Sequence, residues 1–217
     1  CGGGGVGAGW RMSFYARHIL PVVINCACGT KPIRYQRRKI VPRAAGVVLE
    51  LGFGAGLNLP FYDAEKVTRV IALEPEEGML ARARKLACKA PIPLEILPER
   101  AEDVSLPDAS VDTVLVTYSL CTIPDAASAL AGARRVLKPG GRLLFCEHGL
   151  APDAKVRKTQ ASVEKWWKHI AGGCHLTRDI PAVIVAGGFT IETMETMYLP
   201  STPRFAGYNF WGSAKAA

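Results

Sequence analysis

The chain has 217 residues, which suits one domain with a decorated edge and leaves too little for two. Hydrophobic residues make up 49% and charged residues 21%, enough to build a core and to exclude a disordered tail or a fibrous repeat. The net charge of +8 is concentrated at the front: residues 1–49 carry eight basic residues and no acidic one, while the remainder is balanced at 19 of each. Such a front could meet anionic lipid, nucleic acid or an acidic substrate, or form a solvated helix face.

The opening Cys1–Gly9 run is glycine-rich and Met12 could serve as a start, so residues 1–11 read as a leader or fusion scar. Residues 12–44 read as a basic helical segment, a lid or a membrane-contact element. Within it, the apolar stretch His18–Gly29 is interrupted by Pro21 and is too short to span a bilayer, which takes about 20 residues, although it could lie on one. The seven cysteines are an odd number, scattered without C-x-x-C pairs. They indicate neither a disulfide framework nor a zinc ribbon and suit a reducing cytoplasm. Cys26 and Cys28 read as packed thiols.

From residue 46 onward, apolar runs of strand length alternate with helical stretches. Strands are predicted at 46–51, 67–74, 93–97, 110–117 and 142–148, with helices at 76–88 and 126–137 and a turn at 138–141. Continuous apolar strands separated by helices imply an α/β fold, a parallel sheet covered on both faces. Beyond His148 a helix is predicted at 153–171, with Val156, Val163, Trp167 and Ile170 at helical spacing. A second helix, capped by Thr177, ends at Gly187-Gly188. Segments 189–199 and 205–212 then read as an antiparallel pair.

The strand at 46–51 runs into Gly52-Phe-Gly54-Ala-Gly56. Glycines there let a ligand approach the backbone, and a following helix N-terminus favours negative charge. A dinucleotide fingerprint G-x-G-x-x-G would need a third glycine at position 57, which is Leu57. Glu50, just ahead of the loop, would oppose a pyrophosphate but can accept hydrogen bonds from a ligand ammonium. Glu74, closing the next strand, can accept both hydroxyls of a ribose. A ribose and an amino-acid ammonium together describe S-adenosylmethionine.

Four segments, Val-Leu-Glu50-Leu-Gly52-Phe-Gly54-Ala-Gly56, Ala-Leu-Glu74-Pro-Glu-Glu-Gly-Met79-Leu, Ala101-Glu102-Asp-Val-Ser-Leu-Pro-Asp and Arg-Val-Leu-Lys-Pro-Gly-Gly141, together resemble the class I S-adenosylmethionine-dependent methyltransferases. The resemblance implies a Rossmann-like, seven-stranded sheet of order 3-2-1-4-5-7-6 with the last strand antiparallel. It places the methionine part of the donor at Gly52, Gly54 and Gly56 with Glu50 and Asn58, and the ribose at Glu74 beside Pro75 and Met79. The adenine edge falls at Ala101 and Glu102, where Arg100 replaces the Asp or Asn frequent in the family. Thr117, Leu120 and Cys121 complete the implied donor set.

Methyl transfer from a sulfonium is an in-line displacement that rests on alignment and exclusion of water and requires no metal. A thiol acceptor must shed its proton to become a good nucleophile. His148, ending the fifth strand, could serve as base or cation there, or simply bond to backbone. Cys121 reads as a small packed residue near the cofactor. Cys174, His175 and Arg178 are pocket candidates or members of a structurally satisfied loop.

The later motifs, Leu-Cys121-Thr-Ile-Pro-Asp, Glu147-His148-Gly, Gly173-Cys174-His175-Leu-Thr-Arg178 and Gly207-Tyr208 onward, resemble the methyltransferase-like thiol S-methyltransferases and their bacterial relatives. The implied acceptor is a small thiol or hydrogen sulfide, with His148, His175 and Arg178 stabilising the thiolate. Animal members carry a membrane-anchoring N-terminal helix, and this chain has the shorter segment before Lys31. Alternatives are a phospholipid amine or quinone precursor methylated at the membrane surface, and a non-catalytic binding module. The expected partner is a small molecule, without nucleic acid, in the cytoplasm with peripheral membrane contact as an option. The oligomeric state is left open.

Overall fold

A computed structural model describes residues 28–87 and 90–217. The leader at 1–11, the greater part of the apolar stretch, Cys26 and Cys88 lie outside the described residues. Seven strands form one sheet: β1 (Gly46–Leu51), β2 (Val67–Leu73), β3 (Leu94–Leu97), β4 (Val111–Thr117), β5 (Leu137–His148), β6 (Phe189–Tyr198) and β7 (Tyr208–Ala216). Their order is β3-β2-β1-β4-β5-β7-β6, with β7 antiparallel to both neighbours and the other pairings parallel. The helices are α1 (Lys31–Ile40), α2 (Glu77–Ala87), α3 (Ala126–Val136), α4 (Ala154–Ile170), α5 (Ile180–Ala186) and the single turn α6 (Arg204–Gly207).

Alternation along each central strand sends side chains to two cores, one on each face. Leu49, Leu51, Ile71, Val116 and Phe145 meet Leu130 and Ile184 on one side. Val48, Val70, Leu115 and Leu144 meet Ile40, Val41 and Phe53 on the other. Each fully buried side chain of this size contributes about 1.5–3 kcal/mol, so the sheet holds its strand ends in place as a rigid rim. α1 starts with Pro32 in its first turn and collects Arg37, Arg38 and Lys39 in its last, where cations complement the helix dipole.

Three predicted elements shift by more than a residue. β5 begins at Leu137, not at Arg142, because Leu137 already pairs with Val111; the ladder skips at Gly140 (φ 80°) and resumes at Thr113 and Arg142. The cap of α5 is Asp179, whose side chain accepts from the Ala182 N–H at 3.1 Å, because Pro181 needs a place in the first turn. Thr177 instead donates its N–H to Glu164 at 2.7 Å. Residues 204–207 form a helical turn after Pro203, which shifts β7 onward to Ala216. Along α4 the expected apolar stripe is only half used: Ile170 is 56% exposed, and the fully buried residue is Gln160.

Candidate active site

The carboxyl ends of β1, β2 and β4 border a cavity of about 510 Å³, a volume in the range of small-molecule sites. The loop after β1 forms its floor. Gly52 (φ 73°) and Gly54 (φ 59°) both take the left-handed conformation open to glycine. A Cβ at Gly52 would strike Ser119 Oγ at 2.4 Å, whereas one at Gly54 would meet nothing within 4 Å and so would project into free space. Glu74 stands beside Gly54 and accepts its N–H at 2.6 Å through one oxygen and the Glu76 N–H at 2.9 Å through the other. Burial pushes the Glu74 carboxyl up, and those two N–H groups pull it back. Each oxygen keeps a lone pair for a further donor.

Of the residues expected to hold the donor, Gly52, Gly54, Glu74, Pro75, Met79, Ala101, Glu102 and Thr117 line this cavity. Glu50, Gly56, Asn58, Leu120 and Cys121 do not; they stand behind the wall. Glu50 is 1% exposed, and its oxygens accept from Asn58 Nδ2 at 2.8 Å and from the Tyr62 hydroxyl. Burial pushes its carboxyl up to about 7, against the Tyr62 and Asn58 bonds and the Arg37 charge. Its contacts organise the loop rather than present a carboxylate at the wall. Gly56 is a packing glycine, where a Cβ would meet Leu86 Cδ1 at 2.9 Å.

Arg37 is a wall residue that sequence reasoning missed. It is 4% exposed, and its Nη1 donates to Asn58 Oδ1 and Thr117 Oγ1, both at 2.6 Å. Its Nε is buried without a protein partner, a donor left over beside the cavity. The only hint in the sequence was the acid-free basic front, which does not say which of its cations turns inward. Tyr118 (φ 55°), Ser119 and Thr122 also line the cavity. This strained turn is fixed from below by Glu147, whose carboxylate accepts from the N–H groups of Ser119 (2.7 Å), Leu120 (3.1 Å) and Cys121 (3.4 Å). Burial, then the neighbouring Cys121, push Glu147 up to about 8, opposed by those N–H groups.

Where the turn ends, the fold gathers cysteines that the sequence shows only as scattered. His148 Nε2 lies 3.0 Å from Cys174 Sγ, and the Trp167 indole N–H donates to the same sulfur at 3.3 Å. Cys121 Sγ contacts Thr122 Oγ1 at 3.5 Å, linking this cluster to the cavity wall. A hydrogen bond from Cys174, aided by His148, draws Cys121 well below the ordinary thiol range and leaves Cys174 raised. Burial works against the His148 imidazolium, yet the Cys121 charge prevails and raises it. The other two expected catalytic residues serve the loop. Arg178 Nη1 donates to the carbonyls of Leu120 and Ile123, and His175 pairs through Nδ1 with Glu164 at 3.1 Å.

The fold and this cavity define a class I methyltransferase whose donor is S-adenosylmethionine. A family model described as a methyltransferase domain matches residues 49–145. A Leishmania major S-adenosylmethionine-dependent methyltransferase shares the fold with a TM-score of 0.67 at 14% identity, over 92% of this chain and 79% of that one. The rat thiol S-methyltransferase TMT1B is 34% identical over 167 residues, covering 74% of this chain and 68% of the relative. The human TMT1B is 34% identical over 171 residues with the same coverage. The chain belongs to the family that these thiol S-methyltransferases represent.

Proposed function

We propose that the chain transfers a methyl group to the sulfur of a small thiol or of hydrogen sulfide. The observation that carries this reading is a sulfur-rich corner behind the cavity wall, where the His148 imidazole and the Trp167 indole N–H converge on the chain's own Cys174 sulfur. The same corner suits a thiolate, because an N–H donor and a nearby imidazolium both favour the charged form of sulfur. The thiol specificity of the two TMT1B relatives supports it.

The residues present fit the donor. Arg37 Nε has a spare N–H for its carboxylate, the Gly52–Gly54 backbone leaves room for its amino-acid part, and the free lone pairs of Glu74 face the place of a ribose. Ala101 and Glu102 border the adenine end. When bound, S-adenosylmethionine supplies an electrophilic methyl on a sulfonium. The chain's own tasks are to align the acceptor, exclude water and hold its sulfur deprotonated. His148 does the last, while Arg178 and His175 act by fixing the loops that carry Cys121 and Cys174.

The test is a radiolabelled-donor assay against alkyl thiols and sulfide, with a phospholipid amine and a quinol as comparison acceptors. Saturable methylation of at least one thiol is expected, reduced roughly 100-fold or more in His148→Ala. Turnover confined to the amine or the quinol would overturn the thiol reading.

A further inference from the structure

Three ligands from three separate parts of the chain meet at the sulfur-binding corner. Cys121 follows β4, His148 ends β5 and Cys174 sits in the loop after α4, and one ligand atom of each lies within 4.8 Å of the other two. We propose that Cys121, His148 and Cys174 form a binding site for a zinc-class metal ion, with the fourth position open toward the Thr122 and Gly172 end of the donor cavity.

The donor set selects the metal. Two thiols and an imidazole, with no carboxylate among the three, are soft to borderline ligands that suit Zn²⁺ and discriminate against Mg²⁺ and Ca²⁺. A tetrahedral ion with ordinary zinc bond lengths would space nitrogen and sulfur about 3.5 Å apart and two sulfurs about 3.8 Å apart. The His148 to Cys174 separation of 3.0 Å would open by about 0.5 Å, and the third ligand atom, within 4.8 Å of the others, would close by at most about 1 Å. Two thiolates neutralise the dication, so burial of the site leaves no net charge behind. Loading requires both sulfurs as thiolates and His148 as the neutral imidazole, so the ion competes with protons for the site.

Supports around the two cysteines are already in place. Glu147 holds the Cys121 N–H at 3.4 Å, and the Cys121 carbonyl accepts from the His175 N–H at 2.8 Å, so the first ligand is tied at both ends. The Trp167 N–H reaches Cys174 Sγ, the kind of outer hydrogen bond that orients and stabilises a metal-bound thiolate. His148 presents Nε2 to the sulfurs, while its Nδ1 is buried with no protein partner and so is the one outer position without a support. Three protein ligands with one position left open is the arrangement of a reactive rather than a purely structural zinc site. Resting on the thiol reading, the open position would take the acceptor sulfur as its thiolate, and His148 would then stabilise that thiolate through the ion.

The experiment measures metal in the whole chain purified without chelators, and then in protein stripped and reloaded with Co²⁺. About one equivalent of zinc per chain is expected, falling to roughly a tenth or less in Cys174→Ala and in His148→Ala, with Cys146→Ala as a buried-cysteine control that keeps it. Co²⁺-loaded wild type should show intense sulfur-to-cobalt charge transfer in the near ultraviolet, a readout that depends neither on turnover nor on any variant folding. No retained zinc together with no charge-transfer band would overturn the site, as would a disulfide between Cys121 and Cys174 located by peptide mapping of the unreduced chain. A charge-transfer band that no added thiol perturbs would uphold the metal site while removing the thiol from it, so the two readings fail separately.

Discussion

At the scale of single residues, two carboxylates ahead of and beyond one glycine loop have different occupations. Glu74 faces the cavity with lone pairs to spare, so Glu74→Ala is expected to weaken binding of S-adenosylhomocysteine by about tenfold or more, about 1.4 kcal/mol, in a calorimetric titration. Glu50 is buried and holds Asn58 and Tyr62. Its folded carboxyl titrates near 7 against an ordinary 4.5, so the folded chain keeps a proton that the unfolded chain has lost in that interval. Stability from this group therefore falls as pH rises from about 4.5 to about 7 and is level above it. Melting temperatures from pH 5 to 8 should show Glu50→Gln gaining on the native chain as pH rises. Glu74 was legible because a strand-end acid followed by a helix has one obvious direction to point. Arg37 was not, since one inward-facing guanidinium looks the same in sequence as its solvated neighbours. The meeting of Cys121, His148 and Cys174 is likewise a product of tertiary packing that no local spacing encodes.

At the scale of elements, the central strands β1, β2 and β4 were read almost to the residue because each is a largely apolar run, and a sheet buried on both faces writes that pattern directly, whereas β5 and β7, bounded by turns and polar residues, were not. Helix α4 was legible as a helix, but its attachment was not. It docks through Gln160, which accepts the Ala151 N–H and donates to the carbonyls of Gly149 and Phe205, each at 3.0 Å. An edge contact between Trp167 and Phe205 at 5.9 Å adds to this. A glutamine amid helical spacing reads as solvent-facing, and only the returning chain at residues 204–207 makes it central. Gln160→Ala leaves three backbone groups without that partner and is expected to lower the unfolding free energy by about 2 kcal/mol or more in urea titrations. Trp166, on the same helix, is 77% exposed, and replacing it should leave stability within about 0.5 kcal/mol.

At the scale of the whole molecule, strand order does most of the placing. Parallel strands β1, β2, β4 and β5 bring their carboxyl ends to one rim, and the antiparallel β7 packs beside β5 to complete the sheet beyond it. Within residues 12–44, the described part forms α1, which packs on the sheet face and brings Arg37 to the cavity wall. No described helix is long and apolar enough to cross a membrane. Arg37→Met keeps the aliphatic bulk but strips Asn58 and Thr117 of their shared donor, so both donor affinity and melting temperature should drop together. A variant that lost affinity alone would restrict Arg37 to ligand contact.

That shared guanidinium has a kinetic corollary. The clasp joining α1 to the end of β4 is also part of the cavity wall, so unlatching of the helix is expected to be coupled to release of the spent donor. Amide exchange across Lys31–Ile40 should accordingly slow when S-adenosylhomocysteine is added, making the chain's first described helix a gauge of occupancy.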